Sequence, residues 1–276
     1  MRPAVVALLL LASCSFEPAP LGGDASNAPV DGSSGDGRAS DDAPPSPDGP
    51  PAQITCATSD SALELCLEFE DPTLGTARDG STGAHDASVA NATQTTRDVP
   101  ATSRAVGIAS GTSILVPDSS DFDSQQVTIS AWVQRAGLPA SGQRFGVFDL
   151  GNRQAALAID DAGKVVCLVK TTDDIWVGTG GATGINEWAL VACTYNEPQL
   201  CMYTFRNGSA TATKQCGNTN GDPVDTSLNI GAAVGALFDT SNNPSSRFVG
   251  NIDSVRVYSR ALSQTEICTA GGISGC

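Results

Sequence analysis

The sequence predicts an all-β domain, and three observations carry that prediction. Gly and Ser are abundant while stretches with a helical apolar period are scarce, a balance that favours sheets. Ser61 to Asp71, SALELCLEFED, sets Leu63, Leu65, Leu67 and Phe69 against Glu64, Cys66, Glu68 and Glu70, the alternation of a half-buried strand. Further short apolar runs follow, separated by turn signals such as Asp161-Ala162-Gly163 and Asn207-Gly208. The 276 residues suffice for one sandwich of ordinary size with flanking segments, and a hydrophobic content of 40% is enough for its core. Thirty acids against 15 bases give a formal net charge of −15, which argues against nucleic acid and anionic membrane surfaces as partners.

Residues 1–13 have the build of a signal peptide. Arg2 supplies a short basic start, and Ala4 to Ala12 is an apolar run too short to span a bilayer. Leu11-Ala12-Ser13-Cys14 resembles the bacterial lipobox. That resemblance implies cleavage before Cys14 and acylation of Cys14, giving stable anchoring without a transmembrane helix. Ser15 after the cysteine, by analogy with enteric sorting, implies the outer membrane of the cell envelope. Residues 14–52 are rich in Pro, Gly, Ser and Asp. Seven acids from Glu17 to Asp48 face the single base Arg38, a composition that predicts a disordered, self-repelling tether.

The domain is expected over residues 53–276. After the first strand, ARDGSTGAHDASV reads as a turn-rich loop. Short strands are expected at Arg104–Ser110 and Thr112–Val116, then at Gln126–Arg135, Phe145–Leu150, Ala155–Ile159 and Lys164–Val169. Glu187–Tyr195 follows, and Leu200 to Gly208 reads as a hairpin with a type I′ turn at Asn207-Gly208. The last strand lies in Gly250 to Ile267, GNIDSVRVYSRALSQTEI, where Ser263 and Glu266 form a capping box for one helical turn. By parity Asp253 shares a face with Val255 and Val257, and Arg256 points the other way. A carboxylate on that apolar side needs a cation or several donors.

Several of these segments resemble the laminin G-like (concanavalin A-like) family. They are the closing GNIDSVRVYSRALS, the QVTISAWVQR strand, EWALVACTY, LCMYTFRNG and the turn-rich DGSTGAHD loop. The resemblance covers about residues 63 to 267 in a single copy. It implies a two-sheet antiparallel jelly-roll sandwich. The histidine that often precedes the valine of the EWALVACTY strand is Leu190 here, so any role of that histidine is absent.

The resemblance also implies sites. A calcium ion at one rim would draw on Glu70, Asp79, Asp86 and Asp253, hard oxygen ligands that suit it. A calcium site predicts a higher melting temperature in Ca²⁺ than in chelator, with the difference abolished by Asp253→Asn. Trp132 and Trp188 match core positions of the family, which leaves Trp176 as the candidate for stacking on a sugar. Apart from Cys14, eight cysteines remain, and sequence alone allows 105 connectivities. The jelly-roll order favours Cys56–Cys66, Cys167–Cys193, Cys201–Cys216 and Cys268–Cys276, with a link between the N- and C-terminal pairs as the alternative.

These readings lead to a non-catalytic, lipid-anchored binding module of the cell envelope, for glycans or for envelope or matrix proteins. A structural spacer or adhesin without a small ligand is one alternative. Another is a jelly-roll glycoside hydrolase using Glu68 and Glu70, although the E-x-D-x-x-E pattern of such enzymes is missing. His85 has no G-x-S-x-G partner for a serine hydrolase.

Overall fold

Two eight-stranded antiparallel sheets stack face to face in a jelly roll. The computed structural model describes Cys56 and residues 59–151, 154–171, 175–219, 221 and 230–276, all within one unit, Asp48–Cys276. The signal peptide 1–13, Cys14, the tether 14–52 and the first residues of the domain lie outside the described residues.

The first sheet is built from β1 (Leu63–Leu67), β4 (Thr93–Arg97), β5 (Ser103–Ile108), β7 (Val127–Arg135), β12 (Trp188–Asn196), β13 (Gln199–Arg206), β14 (Thr213–Asn218) and β18 (Gly250–Tyr258). Its order is β14-β13-β12-β7-β18-β5-β4, with β1 also paired to β18. The second is built from β2 (Thr76–Ala77), β3 (Ala87–Ala90), β6 (Ser113–Val116), β8 (Arg144–Leu150), β9 (Ala155–Asp160), β10 (Lys164–Lys170), β11 (Ile175–Ala182) and β15 (Ala232–Val234), in the order β11-β10-β9-β8-β15-β6-β3-β2. A small hairpin, β16 (Leu237–Phe238) with β17 (Pro244–Ser245), and one helix, α1 (Gln264–Ala270), complete the described elements. The loop expected after β1 contains two short strands, β2 and β3. The strands β4, largely exposed apart from Arg97, and β14, exposed throughout, are not predicted by the sequence, because their side chains do not alternate between apolar and polar.

The sandwich core is filled by Leu65, Leu67, Ile129, Val191, Val255 and their neighbours, all essentially inaccessible. Each such side chain contributes on the order of 1.5–3 kcal/mol by leaving water. A second core lies on the outer face of the first sheet. There Trp132, Trp188, Leu190 and Phe205 are covered by Leu262, Ile267, Cys268 and Ile273, that is, by α1 and its flanks. α1 starts where expected: the Ser263 hydroxyl accepts from the Glu266 amide at 3.3 Å, and the Glu266 carboxylate accepts from the Ser263 amide at 2.7 Å. With both faces of β12 buried, its sequence WALVACTY is apolar at every position but Thr194 rather than alternating.

Two glycines are required by close approach. Gly250 has φ +144°, and a Cβ there would lie 2.1 Å from the Gln134 carbonyl oxygen, so the central strand can start only with glycine. A Cβ on Gly80 would lie 2.4 Å from the Cys56 sulfur. The chain leaves β13 through a turn at Asn207-Gly208 with positive φ at both residues, 51° and 70°, as type I′ requires, but β14 pairs farther on, Thr204 with Thr213, so the hairpin loop is longer than the two residues expected.

Disulfides join Cys56 to Cys66, Cys167 to Cys193, Cys201 to Cys216 and Cys268 to Cys276. The Cα separations are 6.0, 5.7, 4.1 and 6.0 Å. Cys201 and Cys216 face one another across β13 and β14. Cys167 lies on β10 and Cys193 on β12, so this bridge crosses the core from one sheet to the other.

Candidate functional site

β18 lies between β7 on one edge and two different strands on the other. β5 pairs with its first part, Gly250 to Ile252, and β1 with its last, Val255 to Tyr258. Asp253 and Ser254 fall in the gap between these partners. The strand bulges there, with Ser254 at φ 48°.

The bulge corrects the parity expected for Asp253. Ile252, Val255 and Val257 all enter the sandwich core, and the extra residue places Asp253 and Arg256 together on the outer face. Asp253 sits opposite Trp132 and has no accessible surface. Its Oδ2 accepts from Arg97 Nε at 2.6 Å and from the Ser103 hydroxyl at 2.8 Å, and its Oδ1 accepts from the Ser254 amide at 2.6 Å. Arg97 is also fully buried and lies 5.0 Å over the Trp132 ring. Next to this pair, Glu68 accepts from Arg256 and, at 2.7 Å, from the Ser254 hydroxyl. The Ser103 hydroxyl also lies 2.8 Å from Glu70, whose carboxylate accepts from the Arg104 amide at 3.0 Å.

Burial pushes the Asp253 carboxyl up to about 6, opposed by Arg97 and Ser103 and reinforced by Glu68. A folded value above the unfolded one means that the folded chain holds this proton longer as the pH rises. The carboxyl therefore favours folding below about pH 4, and that contribution is lost as the pH rises through about 6. The unfolding free energy of the wild type minus that of Asp253→Asn should accordingly fall between about pH 4 and pH 7 in urea titrations. Parallel profiles for the two proteins would contradict the shift.

Outside the gap, Glu68, Phe69, Glu70, Asp71, Arg78 and Gly80 line a cleft of about 260 Å³, with the Cys56–Cys66 disulfide as part of its wall. Arg78 is 81% exposed over this cleft and lies 3.6 Å from Asp71. Glu68 and Glu70, the pair expected of a hydrolase, are thus brought to one cleft.

The other acids expected to hold calcium lie in a different network. Asp79 Oδ1 accepts from the Cys66 and Ser81 amides at 2.8 and 2.9 Å, and Oδ2 from the Ser81 hydroxyl and the His85 amide at 2.7 and 2.8 Å. Asp86 accepts from the Asp79 amide at 2.9 Å. These two residues therefore fasten the loop to β1. His85 ties the same loop to the turn Ser120–Phe122, through Asp121 at 2.9 Å and the Phe122 ring at 4.9 Å. Among the described residues, the one group of three or more His, Cys, Asp or Glu ligand atoms within 4.8 Å of one another is Cys56, Cys66 and Glu68, and its two sulfurs form a disulfide. Glu70, Asp79, Asp86 and Asp253 do not converge as one set. Asp79 is saturated by donors and Asp253 is already paired with a guanidinium, so this donor set does not fit calcium.

Trp132 and Trp188 are buried in the second core. The Trp176 backbone pairs with Val169, but its side chain lies outside the described residues. Sequence reasoning missed Arg97, Ser103 and Ser254. The signal available was the demand of a buried Asp253 for a cation; nothing local selects Arg97, 156 residues away.

The chain resembles several solved structures at low identity. The binding domain of Paraclostridial mosquitocidal protein 1 matches with a TM-score of 0.57 at 18% identity, over 75% of this chain and 51% of that one. Domain 4 of AbnA, a GH43 extracellular arabinanase from Geobacillus stearothermophilus solved with arabinotriose, matches at 0.54 and 15%, over 75% of this chain and 97% of that one. Botulinum neurotoxin type C, whose cell entry depends on two ganglioside molecules, matches at 0.52 and 14%, over 77% and 51%. The chain thus spans about half the length of the two toxin chains. These likenesses establish the fold alone. No curated protein matches the chain in sequence. The laminin G family model matches residues 109–268, more than half of the chain, from the strand before β7 to the middle of α1. The chain belongs to the concanavalin A-like lectin/glucanases superfamily.

Proposed function

We propose that this chain is a non-catalytic binding module that takes a glycan in the cleft beside β18 and is held at the cell envelope by lipid on Cys14. The observation that carries the reading is the cleft itself, where Glu68, Glu70, Asp71 and the exposed Arg78 converge in a fold of this superfamily. Carboxylates and a guanidinium on one concave surface suit paired sugar hydroxyls. The net charge of −15 favours neutral or amine-bearing glycans over polyanionic ones. The neighbours add support at the level of ligand class, since one was solved with arabinotriose and another depends on gangliosides.

A glycan array probed with the full chain, beside Arg78→Ala and Glu70→Gln, is the test. Arg78 is exposed and its loss should leave the fold intact while reducing binding at least about tenfold, the worth of one charge-assisted hydrogen bond. Signals unaffected by either change would move the ligand off this cleft. An array without hits would favour a spacer or adhesin role. The anchor is tested separately: Cys14→Ser should release the protein from membranes, and a mutant that still sediments with them would defeat the lipid assignment.

Glycoside hydrolysis is a second reading, because Glu68 and Glu70 share the cleft. Both oxygens of Glu68 are taken by Arg256 and Ser254, so serving as proton donor would break an ion pair. Turnover of β-glucans that disappears in Glu68→Gln would establish the enzyme reading.

A further inference from the structure

We infer that the Arg97 guanidinium serves as the cation of the gap beside Asp253 in β18, so that the fold carries its own counter-ion in place of calcium and would expose a cation site if Arg97 were removed. The surroundings of Arg97 are those of a bound cation. Its Nε donates to Asp253 at 2.6 Å, its Nη1 to the Val99 carbonyl at 2.7 Å and its Nη2 toward the Ser254 hydroxyl at 3.4 Å. The Trp132 ring covers its face. A carboxylate, a carbonyl and the hydroxyls of Ser103 and Ser254 are the hard oxygens that a divalent ion also selects.

Charge balance favours the guanidinium over an added metal. Asp253 and Glu68 each already have a guanidinium, Arg97 on Asp253 and Arg256 on Glu68, with Glu70 reached only through the Ser103 hydroxyl. Arginine does not lose its proton in proteins, so a calcium ion at Asp253 would have to lie against a permanent positive charge or expel a fully buried side chain. The inference does not rest on the glycan reading, although Glu68 and Glu70 line the open cleft and also adjoin the buried gap.

The test compares melting of the full chain in millimolar Ca²⁺ and in chelator. The wild type should give the same melting temperature in both. Arg97→Ala should melt lower by roughly 10 °C, the expected result of leaving a buried carboxylate unpaired. Millimolar methylguanidinium or Ca²⁺ should restore part of that loss in the variant alone. Trp132 lies close enough to sensitise Tb³⁺ luminescence, which should appear in Arg97→Ala and be absent from the wild type. If Arg97→Ala does not fold, Arg97→Lys keeps the charge without the planar fork and should melt below the wild type while still ignoring calcium. A wild-type melting temperature raised by Ca²⁺, a calcium response in Arg97→Lys, or an Arg97→Ala protein insensitive to every cation would each overturn the inference. The glycan array reads the wild type, Arg78→Ala and Glu70→Gln without calcium, so the two tests can fail separately.

Discussion

Trp132→Ala is expected to lose about 3–5 kcal/mol of stability, the range for truncating a large buried aromatic. Three separate interactions end on this side chain. It is completely buried in the second core, its Nε1 donates to the Gly271 carbonyl at 3.0 Å just past α1, and its ring lies under the Arg97 guanidinium. Truncation therefore opens a cavity beneath the helix, orphans a carbonyl at the helix end and strips one face of Arg97. Trp132→Phe keeps most of the ring surface and loses the hydrogen bond, so it should cost nearer 1–2 kcal/mol, roughly one such bond with imperfect repacking. Urea unfolding measures both. If the two variants were equally stable, the second core would contribute nothing beyond the hydrogen bond.

Replacing Cys167 and Cys193 together by alanine should cost about 3.5 kcal/mol, from the chain entropy of a loop of this length. The bridge spans 26 residues and ties the two sheets through the core, so alanines there also leave small voids. Cys268 and Cys276 are 8 residues apart, and their bridge should be worth nearer 2.5 kcal/mol by the same relation. Guanidinium titrations of the two double variants give the ranking directly. A tail bridge worth as much as the core bridge would mean that loop entropy does not govern these disulfides.

Much of the sandwich was legible in the sequence. The first strand, β7, β12, β13 and β18 stand out because their apolar residues and turn signals are local. The capping box at Ser263 and the turn at Asn207-Gly208 depend on residues within one turn of each other, and both are present. What could not be read depends on distant partners. The TQTTR and TKQCGN strands form because backbone edges pair with β5 and β13, not because their side chains alternate. Simple alternation gives the wrong face for Asp253 because one residue in a bulge reverses parity, and a bulge at Ser254 leaves no pattern in the sequence. Resemblance groups Glu70, Asp79, Asp86 and Asp253 as calcium ligands, whereas the chain neutralises Asp253 with an arginine and uses Asp79 as a hydrogen-bond post.

The Cys56–Cys66 bridge also determines how this domain bears load. Any pull on the residues preceding Cys56 reaches Cys66 through a covalent bond, without first unravelling residues 57–65. Cys66 lies on β1, which is bonded along its length to β18, and β18 is clamped on its far edge by β7. Tension thus enters the middle of the first sheet and is shared by several parallel hydrogen bonds at once, instead of peeling them one by one from a frayed end. In an oxidising compartment the domain should hold its shape when pulled from the side of Cys56, and a thiol reductant should convert the same pull into stepwise extension.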